Sequence, residues 1–520
     1  MVTSRAAAWS GTAIAPRWAA LIVPIGVAGI VIANAWRGVM PGLGFWDTGE
    51  FQTVLPIMGT AHPTGYPTYV LLGFIANILL APLGEPAFRI NVLSLIAIAT
   101  AAGVTVALVR RLTGSTILGA AAGLGLALTP VVWANATRAD PHPIHLAFVA
   151  ILLLTLVTWE QKRLGGAADA DRWLVASAVV FGLAAGNHSL TLLLAIPIGL
   201  FVLATEPRIV LRGRFVLLCA LSLVLTVGLV YLELPVRAGI LRAPLVYAAP
   251  NTWDGFWYIA LAEQFRSSLG NPLANLGDKL GVIGDLAWTQ LGLLTVALPP
   301  AFLAAVRIAP RYALLTGSAM LITLIFNTSY SNADIHRYYL GPILWAWTWL
   351  ALLAAFVVQQ IEAFSPNRRA ALVAAAVGAI LLVAPGISAA PLSRDQADRT
   401  NDTAARLWLD ATLETVDPGA VVVSWGTTST PLWYGQHVQG LRPDIFIVDD
   451  RTMLDLRLGN ASDVIDRYLD QRPVYVVRAN PHDLSLVLER FDIVQVLDHA
   501  GRPIGGGSTA LYQVVGRRGG

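Results

Sequence analysis

The sequence predicts a polytopic α-helical membrane protein with a small α/β domain at its C-terminal end. Three observations carry this. Of 520 residues, 56% are hydrophobic and only 13% are charged, whereas a soluble domain carries roughly 25% charged residues. Long apolar runs fill the chain to about residue 390, and the remainder has the composition of a soluble domain. That last segment alternates strand-like and helix-like stretches. The expected division is a membrane domain over residues 1–392 and a globular domain over 393–520.

Composition also excludes some classes. A formal charge of +3 is too small to suggest nucleic acid as a partner. The single cysteine, Cys219, lies in an apolar run, so an intrachain disulfide and a cysteine-based metal site are both ruled out. Arg5 and Arg17 precede an apolar stretch ending in Ala-Asn-Ala, which loosely resembles a cleavage site. The basic region is long for a signal peptide and many apolar runs follow, so an uncleaved first span is expected.

A helix that crosses a bilayer needs about 20 mostly apolar residues. Candidate spans lie near 18–36, 91–109, 115–133, 145–159, 173–187, 189–204, 215–232, 286–306, 312–327, 339–358 and 370–390. A further stretch, 67–83, is short and carries Pro67 and Pro82. Charge decides its role. With 67–83 lying in the interface, Arg110 and Arg111, Lys162, Arg163 and Arg172, Arg208, Arg212 and Arg214, Arg307 and Arg311, and Arg368 and Arg369 share one side with Arg5 and Arg17. That is the positive-inside pattern. Counting 67–83 as a span divides the set. The expectation is therefore about 11 transmembrane helices, a cytoplasmic N-terminus and an extracytoplasmic C-terminal domain. Residues 37–90, 134–144, 233–285 and 328–338 then lie on the outer face.

Those outer segments hold the chemistry. The first reads GFWDTGEFQTVLPIMGTAHPTGYPTY. Asp47 and Glu50 are three apart, so on a helical turn they share a face. Ionisable groups at a membrane boundary are costly and point to function, although capping of an interfacial helix explains the pair equally well. His62 follows in HPTGYP, where prolines and a glycine force an irregular backbone. The second segment, WANATRADPHPIH, offers Arg138, Asp140, His142 and His145. Two histidines and a carboxylate suit zinc, but Pro-His-Pro gives no helical ligand spacing, and a polar turn is the simpler reading. His188 sits in GNHS, a tight polar break between two spans, as a site residue or a satisfied turn histidine. YLELPVRAG supplies Glu233 and Arg237 before an aromatic stretch suited to an interfacial helix. Finally, SYSNADIHRYYLGP sets Asp334, His336 and Arg337 at the mouth of a span, where Arg and His grip a phosphate or anchor a headgroup.

Beyond residue 395, strands are expected at AVVVSWG, DIFIVDD, PVYVVRA and DIVQVLD, with helices near 402–415, 430–438, 461–471 and 481–490, and LYQVVG closes as a further strand. The alternation predicts a largely parallel sheet. A Gly-rich phosphate fingerprint and a nucleophile elbow are both missing from the sequence. The domain is expected to cover or support the membrane site.

The order of these motifs resembles the GT-C superfamily of membrane glycosyltransferases. It is most similar to bacterial membrane proteins related to the transmembrane-protein-260 type of protein O-mannosyltransferase. The matching segments are FWDTGEF, AHPTGYPTY, RINVLSL, GLAAGNHSLTLLLAIP, YLELPVRA, the Tyr-Tyr-Leu-x-Pro run at 338–342, and VVSWGTTSTPLWYGQHVQGLRPDI. Two departures stand out. Asp140-Pro-His replaces a family Glu-Val-Tyr, and Pro-Thr-Gly replaces Pro-Pro-Gly.

The resemblance implies a polyprenyl-phosphate-linked sugar donor, a hydroxyl acceptor on a protein or glycan, and inverting transfer at the outer face of the membrane. Asp47 is then the expected general base, placed opposite the leaving group. Glu50 orients the acceptor or Asp47. Arg237, His336 and Arg337 hold the departing phosphate, and His62, Arg138, Asp140 and His188 bind the sugar or headgroup. Asp47 and Asp140 leave room for a divalent metal, but no metal ligands are assigned. The rival reading is a transporter or lipid flippase without transfer chemistry. Transporters place charges near the midplane, often within inverted repeats; here the polar groups gather at one face and the sequence shows no clear repeat. A scaffold protein with a partner-binding outer domain is a second rival.

Overall fold

A computed structural model describes residues 19–332, 334–365, 367–477 and 481–519. Arg5 and Arg17 lie outside them. Eight of the described helices are long and apolar enough to cross a membrane. All eleven expected spans are helical, but three fall below that standard individually. Thr116–Leu128 and Ser189–Thr205 are short, and Ala170–Asn187 carries Asp171 and Arg172 in its first turn.

The first helix is α1 (Ala19–Ala35), followed by α2 (Trp46–Ile57) and α3 (Pro67–Leu79). At 13 residues α3 is about 20 Å long, short of a hydrocarbon core of about 30 Å. It packs against α2, against α4 (Pro86–Thr113), and against α8 (Ala170–Asn187). Helix α5 (Thr116–Leu128) stops at Thr129 because the residue before a proline disfavours helical ψ; Thr129 has ψ 130°, and α6 (Pro130–Asn135) starts afresh. Then follow α7 (Pro141–Leu164), α8 (Ala170–Asn187), α9 (Ala195–Thr205), α10 (Gly213–Tyr231) and the single turn α11 (Glu233–Pro235). Next come α12 (Trp253–Ala260), α13 (Leu276–Leu291), α14 (Leu298–Ile308), α15 (Pro310–Ser329), α16 (Leu340–Phe364) and α17 (Arg368–Ala397).

Helices α4, α5, α7 and α16 form the centre of the bundle, around buried Leu95, Trp159 and Trp345. Gly125 lets Trp347 lie flat on α5: a Cβ there would meet its ring at 2.4 Å, and the indole N–H donates to Thr129 Oγ1 at 2.9 Å. Outward, Ile25, Leu225, Leu229 and Ile380 are exposed. An apolar belt of this size is stable in hydrocarbon rather than in water. The chain is a multi-pass membrane protein.

The two ends of the bundle differ in chemistry. At one end ion pairs link Arg163 to Glu206, Arg212 to Asp171 and Arg311 to Glu160. These basic residues are the group the sequence places on one side. All the polar motifs lie at the opposite end, together with the C-terminal domain.

That domain comprises α18 (Ala404–Thr415), β1 (Val421–Val423), α19 (Gly426–Trp433), β2 (Phe446–Val448), α20 (Asp450–Asp455), α21 (Ala461–Tyr468), β3 (Val474–Val477), α22 (Pro481–Leu488), β4 (Phe491–Gln495) and β5 (Leu511–Arg517). All five expected strands are present. The sheet order is β2-β1-β3-β5-β4. It is mixed rather than largely parallel. Strand β1 runs parallel to β2 and β3, but β5 is antiparallel to both β3 and β4. The link from β4 to β5 holds only a 3-10 turn, and without a crossover helix the chain returns as a hairpin.

The domain sits on α2. Gly49 allows the approach, since a Cβ there would fall 2.8 Å from Thr430 Oγ1. Tyr434 Oη donates to Glu85 and accepts from the Ala87 N–H, both at 3.1 Å. The C-terminal ends of β1 and β2 point towards the membrane domain, the usual location of functional groups in parallel sheets.

Candidate active site

A cavity of about 880 Å³ lies between the polar end of the bundle and the C-terminal domain. Asp47 and Glu50 sit in the first turn and a half of α2, where the helix dipole favours negative charge. As their spacing predicts, they share a face, but their environments differ. The Asp47 side chain is 44% exposed and that of Glu50 is 6% exposed, so Asp47 opens onto the cavity and Glu50 is largely shut off from it.

Glu50 is held from two directions. Oε1 accepts from Arg451 Nη2 and from the His62 backbone N–H, each at 2.8 Å. Oε2 pairs with His62 Nδ1 at 2.6 Å. Burial alone would raise the carboxyl pKa; His62 and Arg451 outweigh it and hold Glu50 at about 2. Burial would likewise lower the His62 pKa, but Glu50, with help from Asp47, raises it. His62 Nε2 lies 3.1 Å from Tyr66 Oη. The HPTGYP loop positions both rings. Gly65 there has φ 78°, and a Cβ would strike Ile259 at 2.7 Å.

Arg337 forms the second knot. Its Nη1 donates to Asp140 at 2.6 Å and its Nη2 to Asp47 at 3.1 Å. Asp140 caps α7, accepting from His142 N at 2.8 Å and pairing with His142 Nδ1 at 2.7 Å. Burial opposes its ionisation, yet Arg337 and His142 keep this carboxyl well below the usual range. Arg138 reaches Asp334 at 3.4 Å on the cavity rim. His188 accepts from Leu190 N through Nδ1 at 3.2 Å, and its ring packs 4.5 Å from that of His142.

The structure therefore gathers Asp47, Glu50, His62, Arg138, His188 and Arg337 on one cavity wall, with Asp140 directly behind Arg337. Two expected phosphate contacts lie elsewhere. Arg237 donates to the carbonyls of Ile57 and Met58 at 2.6 and 2.9 Å, closing the C-terminus of α2. His336 is exposed and outside the cavity lining.

One feature of the site came from outside the expected set. Arg451, just beyond β2, is 8% exposed and brings the C-terminal domain into contact with Glu50. Its sequence signal was Asp449-Asp450-Arg451 at the end of a parallel strand.

For a metal, Asp47, Glu50 and His62 each offer one ligand atom within 4.8 Å of the others. Both Glu50 oxygens already accept from Arg451 and His62, so a cation would compete with them. A metal between Asp47 and Asp140 does not fit, because Arg337 bridges those two carboxylates.

This geometry can be set beside known proteins. Residues 47–210 match the family model of the protein O-mannosyl-transferase TMEM260 N-terminal domain. The family likeness read from the motifs holds there. Protein O-mannosyl-transferase TMEM260 of Mus musculus is 32% identical over 228 residues, which is 43% of this chain and 31% of the mouse protein. The match thus spans about a third of the length of that curated relative. Among solved structures, ArnT from Cupriavidus metallidurans bound to undecaprenyl phosphate superposes with TM-score 0.57 at 14% identity, covering 96% of this chain and 98% of ArnT. The oligosaccharyltransferase AglB from Archaeoglobus fulgidus, in complex with an inhibitory peptide and a dolichol-phosphate, gives TM-score 0.54 at 14% identity, covering 96% of this chain and 74% of AglB. These likenesses establish the fold, which is GT-C-like. The TMEM260 match contains Asp47 through His188, but Arg337 and Arg451 lie beyond it.

Proposed function

We propose that this chain is a membrane glycosyltransferase. It moves a sugar from a polyprenyl-phosphate donor to a hydroxyl on a protein or glycan, with inversion at the anomeric carbon. The observation that carries the reading is the exposed Asp47 carboxylate opening onto a cavity with both cationic and apolar lining. Arg138 and Arg337 line it, as do Leu190, Leu192, Leu269 and Phe326. A lipid-linked sugar needs that combination: cations for the phosphate and an apolar path for the chain.

In this reading Asp47 accepts the proton of the acceptor hydroxyl as that oxygen attacks the anomeric carbon. Arg337, whose two Nη groups are taken by Asp140 and Asp47, holds the Asp47 carboxylate in place. Arg138, on the cavity rim, is the cation for the departing lipid phosphate. Glu50, too buried to touch the acceptor freely, orients His62 and the start of α2. The basic end of the bundle faces the cytoplasm by charge bias, so the cavity and the C-terminal domain face outward. The undecaprenyl phosphate bound to ArnT, the dolichol-phosphate bound to AglB and the name of the mouse relative support the same chemistry.

The test is transfer by the purified protein in vesicles, using a radiolabelled short-chain polyprenyl-phosphate hexose and a surface-protein acceptor fraction. Label in the acceptor, with free polyprenyl phosphate released in equal amount, is expected. Movement of the labelled lipid between leaflets without transfer would favour the transporter reading instead.

A further inference from the structure

We infer that Arg451 is a positioning residue through which the docked C-terminal domain fixes the Glu50–His62 pair in its working geometry. The inference rests on the transferase reading above and adds to it a role for the domain.

Arg451 belongs to the C-terminal domain, in the first turn of α20. Its side chain leaves that domain and enters the membrane-domain site, where it is buried. The guanidinium lies 4.3 Å from the ring centroid of Tyr247 and 4.7 Å from that of Trp433. One ring comes from the loop after α11, the other from α19. Two aromatic faces hold a planar cation in one orientation, which a lysine could not match.

The cation is spent on one contact. Nη2 donates to Glu50 Oε1 at 2.8 Å, and Glu50 Oε2 in turn takes His62 Nδ1 at 2.6 Å. His62 Nε2 faces Tyr66 Oη at 3.1 Å. A continuous chain, Arg451–Glu50–His62–Tyr66, therefore runs from one domain into the cavity wall of the other. With Arg451 and the His62 backbone N–H on one oxygen and the ring on the other, Glu50 has a single orientation. That orientation places Nδ1 of His62 as the donor and leaves Nε2 facing Tyr66. Without Arg451, Oε1 keeps only the backbone N–H, and the carboxylate is free to turn. A buried charge pair spanning two domains is an expensive way to hold them together, because desolvation offsets much of the attraction. Tyr434 with Glu85 and Ala87, and α19 on α2, already supply docking contacts. What Arg451 adds is orientation.

The experiment separates orientation from docking. Arg451→Met is made alone, with Glu50→Gln, and in a chain whose domains are tethered by a disulfide between Thr53→Cys and Thr430→Cys, on the facing helices α2 and α19. Transfer of a short-chain polyprenyl-phosphate hexose is measured under each condition. Arg451→Met is expected to lower kcat about 10- to 100-fold with donor KM within about threefold, as loss of alignment does. The tether is expected not to restore kcat. The double variant is expected to fall no more than about threefold below Glu50→Gln alone, because both act through one group. Arg451→Lys in the tethered chain serves if Arg451→Met does not fold, and is expected to stay at least tenfold impaired. Wild-type rates in the tethered variants, or multiplicative losses in the double variant, would overturn the inference. A readout independent of turnover is the ¹⁵N spectrum of His62, recorded at a pH above its raised pKa where the ring is neutral: a single tautomer in the wild type and an averaged signal in tethered Arg451→Met are expected. Identical spectra would overturn the inference even if the protein transferred no sugar, whereas absent wild-type transfer counts against the transferase reading alone.

Discussion

Gly49→Ala should damage this protein out of proportion to its size. The Cβ of an alanine at position 49 would lie 2.3 Å from the Gly44 carbonyl oxygen, 2.8 Å from Thr430 Oγ1 and 3.2 Å from Thr430 Cβ. Ordinary contact begins near 3.4 Å, so the carbonyl must retreat by about 1 Å or α2 must lift from the C-terminal domain. Neither movement is local. Gly44 N donates to Gln52 Oε1 at 2.8 Å, and α2 carries both Asp47 and Glu50. Overpacking of this kind costs about 1–3 kcal/mol, and displacement of a catalytic group by about 1 Å costs roughly 100-fold in rate. The assay compares sugar transfer per folded molecule, and the thermal midpoint in detergent, with those of Gly284→Ala. Gly284 lies on α13 with open space around it, so its alanine variant should match the wild type. Wild-type rate and stability in Gly49→Ala would refute the close-packed docking of the domain on α2.

Four further outcomes are expected. Arg237→Ala removes two charge-assisted bonds to the end of α2, each worth about 1.5–3 kcal/mol; it should lower the thermal midpoint while leaving the KM for the donor within about twofold. Arg337→Lys loses the fork that bridges Asp47 and Asp140 and should reduce kcat about 100- to 1,000-fold at normal expression. His336→Ala, outside the cavity, should retain transfer within about twofold. Folding stability should depend on pH through Glu50 and His62, as read by the thermal midpoint in detergent. Glu50, depressed from 4.5 to about 2, contributes fully above pH 4.5 and loses its contribution as pH falls towards 2; the difference corresponds to about 3 kcal/mol. His62, raised above 6.5, contributes fully below pH 6.5 and loses its contribution as pH rises through its higher folded value. The pair should therefore stabilise the fold most between about pH 4.5 and 6.5.

Much of this molecule was legible in its sequence because bilayer physics is local. Hydropathy located the helices, and the charge bias set 67–83 apart from the spans; the helix there, α3, has 13 residues, the same length as α5. The i, i+3 spacing put Asp47 and Glu50 on one face. What stayed hidden was set by contacts distant in the chain. Glu50 looks equivalent to Asp47 until Arg451, 401 residues away, is found against it. Arg237 had the right charge and the right side of the membrane for a phosphate ligand. The helix α2 ends at Met58 with left-handed geometry, however, leaving carbonyls that a nearby guanidinium satisfies. The sheet was misjudged for a similar reason: alternation implies crossovers, but the β4–β5 link contains no helix long enough to make one.

The proposed reaction turns on the Asp47 carboxylate at the cavity. Its most direct test is Asp47→Asn, assayed for hexose transfer from polyprenyl phosphate in vesicles, with thermal stability and domain docking as controls. The exposed side chain makes one contact with Arg337, at 3.1 Å, so the variant should fold and dock like the wild type while kcat falls by about 100-fold or more. Full transfer activity from a normally folded Asp47→Asn protein would contradict the account.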